Sequence, residues 1–206
     1  MSSPSPQSVV PAGPRRGLAA KSPLGRLKVS LIFLLLGFLA VYAHPRLLDI
    51  WLGLPFVLAG SAVRLWASGY LLKTRELAIA GPYAYTRNPL YLGRLLLFTG
   101  FALMGRLPAE SHLILLVLGY AVFFGYYLPR KEQVECSRLR SEHGEAYSRY
   151  EAVVPALLPR FTPYRPAGLS PTGTGWDPKR FRRNREYLML ALEAGLVALF
   201  TLRALS

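Results

Sequence analysis

A thirteen-residue segment carries the densest chemistry in the chain. It reads Gly-Pro-Tyr-Ala-Tyr-Thr-Arg-Asn-Pro-Leu-Tyr-Leu-Gly at positions 81–93 and lies between two apolar runs. Proline fixes φ, lacks an N–H donor and disfavours helix at the preceding residue. Pro82 and Pro89 therefore predict a short rigid loop, and then a helix that begins at Pro89 or Leu90. A rigid loop with aromatic and cationic side chains, leading into a helix N-terminus, is suited to shape a small-ligand pocket. We call residues 81–93 the signature segment.

A second group of reactive side chains follows the fourth apolar run. No proline or glycine occurs from Lys131 to Glu142, which predicts a helix that Gly144 ends. Glu132 and Glu135 are three residues apart and therefore share one face of that helix. Acids on one face can accept hydrogen bonds from a ligand or take up a proton, although a charge run on a helix is usually a solvated face.

The composition predicts a small membrane protein. The chain has 206 residues, of which 52% are hydrophobic and 17% are charged, and its formal net charge is +14. A soluble protein with this charge would suggest nucleic-acid binding, but here the basic residues lie beside apolar runs and suit an anionic lipid surface instead. The single cysteine, Cys136, excludes an intrachain disulfide and a thiolate metal cage. The three histidines show no metal-ligand spacing, so no metal site is predicted.

Apolar runs of nearly spanning length predict an all-α, polytopic protein with about five transmembrane helices. Residues 1–25 form a basic tail rich in Ser, Pro, Gly and Ala that is predicted to be disordered. A membrane core follows at 26–165, and residues 166–206 hold a linker and a last hydrophobic helix that either spans the membrane or lies along its surface. The predicted spans are 27–43, 50–72, 89–105, 113–129 and 187–202.

Basic residues alternate between the loops and predict the orientation of the chain. Residues 130–186 hold twelve Lys or Arg, whereas the links 44–49 and 106–112 hold one each. The positive-inside rule then places the N-terminus, the 73–88 loop and the 130–186 segment in the cytoplasm. We expect an integral protein of the inner or cell membrane whose active site faces the cytoplasm.

Apart from Lys28 at the edge of the first span, three charged side chains fall inside predicted spans, namely Arg64, Arg94 and Glu193. A charge in hydrocarbon needs a partner, water or a route to the headgroups. We hypothesise that Glu193 pairs with Arg64 or Arg94 in a pocket open to the cytoplasm.

The order of these residues resembles a known family. The signature segment is similar to the Gly-Pro-Tyr-x-Tyr-x-Arg-His-Pro-x-Tyr-x-Gly motif of the isoprenylcysteine carboxyl methyltransferase and phospholipid methyltransferase families of integral-membrane enzymes. Asn88 stands where that motif most often has His. Residues 135–159 resemble the same families' Glu-Glu-x-x-x-Leu, Phe-Gly-x-x-Tyr-x-x-Tyr and Val-Pro-x-x-Leu-Pro motifs, but Cys136 replaces the second acid and His143 the Phe. The resemblance covers roughly residues 50–160.

The resemblance implies S-adenosylmethionine as cofactor and methyl transfer as the reaction. It implies that Glu135 accepts hydrogen bonds from ribose hydroxyls or the methionyl ammonium, that Arg87 holds the cofactor carboxylate, and that tyrosines stack on adenine or face the sulfonium. The residues assigned to cofactor binding in this way are Gly81, Pro82, Tyr83, Arg87, Asn88, Pro89, Tyr91, Gly93, Glu135, Tyr147 and Tyr150.

The acceptor is expected to be a lipophilic small molecule or a prenylated substrate that arrives through the bilayer. A carboxylate needs no base, only a cation such as Arg130, Lys131 or Arg94 to orient it. An amine must first lose a proton, and Glu132 or Glu135 would then act as the base. Asn88 removes a titratable group and slightly favours an acceptor that needs no base.

Two other functions fit the same architecture. Some membrane sterol reductases share a similar helical arrangement and a related C-terminal motif but use NADPH. A non-enzymatic membrane scaffold would explain the absence of the motif His and the second Glu. Nucleic acid is not an expected partner, and the sequence assigns no oligomeric state.

Overall fold

The computed structural model describes residues 37–38, 41–71, 77–165 and 175–206, and the regular elements in these ranges are helical throughout. This confirms the all-α prediction. The basic tail 1–25 and most of the predicted span 27–43 lie outside the described residues. The helices are α1 (Leu47–Tyr70), α2 (Pro89–Met104), α3 (Ser111–Val122), α4 (Leu128–Val153), α5 (Pro178–Asn184) and α6 (Glu186–Leu205). Short 3₁₀ turns occur at Gly81–Ala84 and Pro108–Glu110, and a π-helical turn occurs at Phe123–Tyr127.

The apolar helices are suited to a bilayer. Three helical stretches are long and apolar enough to cross a membrane: Leu47–Tyr70, the continuous run Pro108–Val153, and Glu186–Leu205. Helix α2 has 16 residues, so at about 1.5 Å per residue it spans less than the roughly 30 Å of a hydrocarbon core. The protein is therefore a polytopic membrane protein in which α2 reaches the lipid headgroups only with its flanking residues.

Helices α1 and α2 pack with their backbones almost in contact. A Cβ atom on Gly100 of α2 would lie 2.6 Å from Cγ2 of Val57 and 2.8 Å from the carbonyl oxygen of Gly53, both on α1. Only glycine permits this approach, since real Cβ contacts are not that short. In a membrane the hydrophobic effect does not drive helices together, because lipid tails are as apolar as the side chains. Small residues let helices approach closely and associate through dispersion forces instead. The α1–α2 pair is the base on which the signature segment rests.

The last helix, α6, runs antiparallel to α1 along its length. Glu186 at its start pairs with Arg64 at 2.5 Å, Glu193 lies 2.6 Å from the hydroxyl of Ser61, and Arg203 near its end donates to the carbonyl oxygen of Ala43. Antiparallel contact over this length favours a spanning helix over one lying on the surface. The hypothesis that Glu193 forms an ion pair with Arg64 or Arg94 is wrong. Glu193 accepts a hydrogen bond from Ser61, Arg64 pairs with Glu186, and Arg94 lines a separate groove.

Candidate functional site

The signature segment begins with a tight turn and ends in α2. Gly81 has φ +60°, which glycine adopts without strain, and the 3₁₀ turn Gly81–Ala84 follows it. Pro89 is the first residue of α2, as predicted, and Asn88 precedes it as the N-cap. The two prolines therefore delimit the irregular part of the segment, which rests on α1 through the ring contact of Tyr85 with Trp66 at 5.9 Å.

A strap formed by residues 154–164 holds the signature segment from the other side. It is hydrogen-bonded to the segment, and the hydroxyl of Thr86 donates to the carbonyl oxygen of Leu157 at 2.9 Å. Three backbone N–H groups complete the pairing: Arg87 to Pro155 at 2.9 Å, Arg160 to Tyr85 at 3.0 Å, and Tyr164 to Ala84 at 2.9 Å. These hydrogen bonds tie the strap to the signature segment from Ala84 to Arg87.

Helix α4 folds back on itself at Gly144. The backbone there has φ +54° and ψ −127°, outside the helical region, so Gly144 interrupts the helix as predicted. Residues eleven apart in a straight helix would be about 16 Å apart. Instead the hydroxyl of Tyr147 lies 3.0 Å from Sγ of Cys136, and Nε of Arg140 lies 2.8 Å from Glu151. The fold-back brings the second half of α4 against the face that carries Glu132.

A small core supports this fold-back beneath the signature segment. Its members are largely apolar and buried, and the hydroxyl of Tyr150 donates to the carbonyl oxygen of Tyr83 at 2.7 Å, which ties the core to the segment. Burial raises the pKa of the Cys136 thiol. The buried residues of this core are Ile79, Cys136, Tyr147, Tyr150 and Val154.

Arg87 lies at the centre of a polar cluster between the signature segment and α4. Its Nη2 lies 2.7 Å from Glu132 and its Nη1 lies 3.0 Å from Glu151. The three side chains are 14%, 21% and 18% exposed, so the ion pairs are largely shielded from water. Hydrogen bonding from Arg140 holds the pKa of Glu151 below its usual value, although partial burial opposes the shift. Glu151 therefore supplies a second carboxylate beside Cys136.

Asn88 is buried and has its amide fully engaged. Its Nδ2 donates to Glu132 at 2.6 Å and to the carbonyl oxygen of Ala156 at 2.8 Å, while its Oδ1 accepts from Nζ of Lys131 at 2.6 Å. The amide therefore fixes the first turn of α4 and the strap at once. A side chain with both a donor and an acceptor is needed here, which Asn provides without titrating.

Two cations contact the ring of Tyr91, which extends the cluster towards the surface between α2 and α3. Nζ of Lys131 lies 4.1 Å from the ring centroid of Tyr91, and the guanidinium carbon of Arg94 lies 5.0 Å from it. Lys131 also pairs with Glu135. Tyr91 contacts Tyr127 of the π-helical turn with ring centroids 5.4 Å apart. Side chains therefore connect the polar cluster continuously with the surface between α2 and α3.

A groove of about 220 Å³ opens at that surface. Its wall is mainly apolar and aromatic, and it includes the π-helical turn, a distortion that often occurs at functional sites. Arg94 is its one charged lining residue, and no carboxylate among the described residues lies within ion-pair distance of it. The lining residues are Arg94, Leu95, Phe98, Gly119, Phe123 and Tyr127.

The structure brings together most of the residues that the sequence selects, but not all. Arg130 is exposed and has no ion pair within the described residues, and Arg94 lies in the groove rather than beside Arg87. Gly81 adjoins the ring of Tyr70, and Gly93 adjoins the aliphatic stem of Arg64. The residues within or directly beneath the cluster are Pro82, Tyr83, Arg87, Asn88, Pro89, Tyr91, Lys131, Glu132, Glu135, Tyr147 and Tyr150.

Sequence reasoning missed Glu151. No spacing rule connects it with Arg87, since their contact depends on the fold-back at Gly144. The available signal was Gly144 itself, together with the absence of the motif's second acid at Cys136. It also missed Thr86, whose hydroxyl binds the strap through a contact between segments far apart in the chain.

Comparison with known proteins identifies the family of the chain. A family model described as phospholipid methyltransferase matches residues 62–128, which include the whole signature segment. The cobalt-zinc-cadmium resistance protein CzcN of Cupriavidus metallidurans is 31% identical over 167 residues, covering 75% of this chain and 73% of that protein. No solved structure matches the chain. The chain belongs to the phospholipid methyltransferase and isoprenylcysteine carboxyl methyltransferase family of membrane proteins.

Proposed function

We propose that this protein transfers a methyl group from S-adenosylmethionine to a lipophilic carboxylate at the membrane face. The observation that carries the acceptor class is Arg94, a cation without a carboxylate partner in the described structure that lines an apolar groove. The observation that supports a bound cofactor is the polar cluster around Arg87, where the family's signature segment meets α4.

The residues beside the signature segment fit a polar cofactor. The hydroxyl of Tyr83 and Nε of Arg87 are buried and have no hydrogen-bond partner among the described residues, which is unusual unless a ligand completes them. Glu135 keeps 40% of its side chain exposed, so it is accessible to ribose hydroxyls or an ammonium group. S-adenosylmethionine would supply a methyl group on a sulfonium. Tyr83, Tyr91, Arg87 and Glu135 would hold it.

The cluster is poorly arranged to deprotonate an amine. Glu132 faces Asn88 with one carboxylate oxygen and Arg87 with the other, so both oxygens are engaged. Glu135 pairs with Lys131, and Asn88 does not titrate. A carboxylate acceptor is already ionised at neutral pH and needs no base. We therefore favour a carboxylate over an amine.

The groove would hold the apolar part of the acceptor, and Arg94 would orient its carboxylate. The aromatic contact between Tyr91 and Tyr127 connects the groove with the cluster, so the reacting oxygen would approach along that side. Methyl transfer by in-line displacement depends on alignment and on exclusion of water. Pro82 and Pro89 stiffen the signature segment, which would position the cofactor. The strap and α4 pack against that segment.

Calorimetric titration of the detergent-purified protein tests the cofactor. We expect binding of S-adenosylmethionine and no binding of NADPH. Arg87→Ala and Glu135→Ala should abolish binding, because one fixes the cluster and the other contacts the ligand. Glu145→Ala is the control, since the Glu145 side chain is 77% exposed and pairs only with Arg149 in the described structure. Binding of NADPH alone would identify a reductase, and binding of neither ligand to folded protein would favour a scaffold.

Transfer of labelled methyl groups tests the acceptor. Alkyl carboxylic acids and alkyl amines of equal chain length are offered in the same detergent. We expect base-labile methyl esters from the acids and no product from the amines. Arg94→Gln should raise KM for the acid at least about tenfold, as loss of a charge-assisted contact does, and leave cofactor binding unchanged. Arg138→Gln, another exposed cation, should change neither. Methylation of amines alone would reject the proposed acceptor class.

A further inference from the structure

A short basic segment joins the membrane surface to the last helix. Between positions 179 and 185 five of seven residues are cations, and aromatic residues lie before, among and after them at Trp176, Phe181 and Tyr187. We call residues 176–187 the basic collar. The five cations are Lys179, Arg180, Arg182, Arg183 and Arg185.

Most of this charge is not neutralised within the protein. Asp177 lies 3.4 Å from Nε of Arg180, and Glu186 forms an ion pair with Arg64. The remaining four cations are exposed and have no carboxylate within ion-pair distance in the described part of the chain. Nη1 of Arg180 is buried and also has no hydrogen-bond partner among the described residues. The collar therefore presents a concentrated positive surface to its surroundings.

The collar is fixed at the end of α1, at the edge of the membrane. Nε1 of Trp176 donates to the carbonyl oxygen of Leu65 at 3.0 Å, and Nδ2 of Asn184 donates to that of Ser68 at 2.8 Å. Asp177 donates its backbone N–H to the carbonyl oxygen of Gly69 at 3.2 Å. These anchors lie in the last turns of the apolar helix α1, on the same side of the protein as the signature segment, which contacts Trp66.

The aromatic side chains place the collar at headgroup depth. Trp176 contacts Phe181 with ring centroids 5.9 Å apart, and Phe181 contacts Tyr187 at 6.4 Å. Trp and Tyr prefer the interface between hydrocarbon and water. Leu188 and Met189, just beyond Tyr187, are exposed and open the apolar helix α6. Cations at this depth meet lipid phosphates, whereas a soluble polyanion would have to approach against the apolar surface.

We propose that the basic collar binds the phosphate groups of anionic glycerophospholipids in the leaflet beside the signature segment. The proposal is independent of the proposed methyl transfer. Because the collar contains Glu186, which pairs with Arg64 of α1, a bound lipid also holds the start of α6 against α1. Anionic lipid should therefore stabilise the folded protein and not merely associate with it.

The test measures the unfolding temperature of the full chain in a neutral detergent, with added phosphatidylglycerol or phosphatidylcholine at equal mole fraction. We expect phosphatidylglycerol to raise the Tm and phosphatidylcholine to leave it unchanged. The triple variant Lys179→Gln, Arg182→Gln, Arg183→Gln should need at least about tenfold more phosphatidylglycerol for the same rise. The control removes three exposed cations elsewhere, as Arg138→Gln, Arg149→Gln, Arg165→Gln, and should keep the full rise.

Three results would overturn the proposal. The first is an equal rise in Tm with both lipids. The second is an equal rise in Tm in the collar variant and the parent protein. The third is a rise in Tm of the same size with soluble glycerol phosphate, which would show a phosphate site that does not require lipid. If the triple variant does not fold, Arg182→Gln and Arg183→Gln are made singly. Each should then weaken the response to phosphatidylglycerol, and a full response in both would reject the collar.

Discussion

Arg87 and Glu132 form an ion pair of 2.7 Å that joins the signature segment to α4. The guanidinium also contacts Glu151 at 3.0 Å, across the fold-back at Gly144. The related motif has two adjacent acids, and here the second position is Cys136. The negative charge beside Arg87 comes from Glu132 and Glu151. The cluster thus holds two acids, neither of which stands at one of the two motif positions.

Arg87→Ala should destabilise the fold as well as abolish cofactor binding. It leaves Glu132 and Glu151 without their shared cation in a largely shielded site. The expected loss is about 1–3 kcal/mol, between the values for exposed and for buried ion pairs. Thermal unfolding in detergent measures it. Arg149→Ala breaks an exposed pair with Glu145 and should change the Tm little; an equal loss in both variants would mean that the cluster is not specially stabilising.

Glu151→Gln should lower stability at neutral pH and matter less in acid. The pKa of Glu151 is lowered in the folded protein, chiefly by its hydrogen bond from Arg140, from an ordinary value of 4.5. A lowered folded pKa contributes stability above the unfolded pKa, and this contribution is lost as the pH falls through the folded pKa. The Tm gap between parent and variant should therefore narrow between pH 7 and pH values below 4.5. A gap that is constant or widens in acid contradicts the assignment. Glu145→Gln, at an exposed position, should show a small gap throughout.

Cys136 should resist alkylation in the folded protein. The residue is 6% exposed and burial raises the pKa of its thiol, so little thiolate forms and reagents have poor access. We expect maleimide labelling to be about tenfold slower, or more, than after unfolding in detergent. The control moves the thiol by one residue, as Cys136→Ser with Ser137→Cys, because position 137 is exposed. Equal labelling rates at the two positions would show that the core beneath the signature segment is open.

Gly100→Ala should weaken the α1–α2 pair. The added methyl group would lie 2.6 Å from Val57 and 2.8 Å from the backbone of Gly53, so the helices must separate. Overpacking of this kind costs about 1–3 kcal/mol. Gly195→Ala is the matched control on α6, where an added Cβ meets no atom of the described residues within 4 Å, and it should be neutral or slightly stabilising. Unfolding measurements compare the two, and an equal Tm would contradict the close packing.

Several local features followed directly from sequence. Pro89 starts α2 because its ring fixes φ and its missing N–H is not needed in the first turn. Gly144 breaks α4 because it alone in that stretch takes positive φ easily. The proximity of the signature segment to Glu132 and Glu135 was expected from the family resemblance, and the structure places both acids beside Asn88 and Lys131.

Other contacts could not be read from spacing. The pairing of Arg64 with Glu186 depends on how α6 packs on α1. Hydropathy does not determine which face of α6 turns towards α1. The expectation that Glu193 pairs with an arginine failed for this reason. Glu186 lies two helical turns before Glu193 on α6, and it is Glu186 that lies beside Arg64. The groove at Arg94 likewise depends on the separation of α2 and α3 at the π-helical turn.

The sequence by itself determined the helical membrane class and the positions of the breaks, because proline, glycine and apolar runs act through local backbone geometry and solvation. The order of the motif residues identified the family. Only the tertiary structure decided that Glu151 completes the cluster around Arg87, that Asn88 fixes both Glu132 and the strap, and that α6 closes on α1. Those are contacts between distant segments. Their geometry depends on the fold-back at Gly144 and on helix packing, which no local pattern encodes.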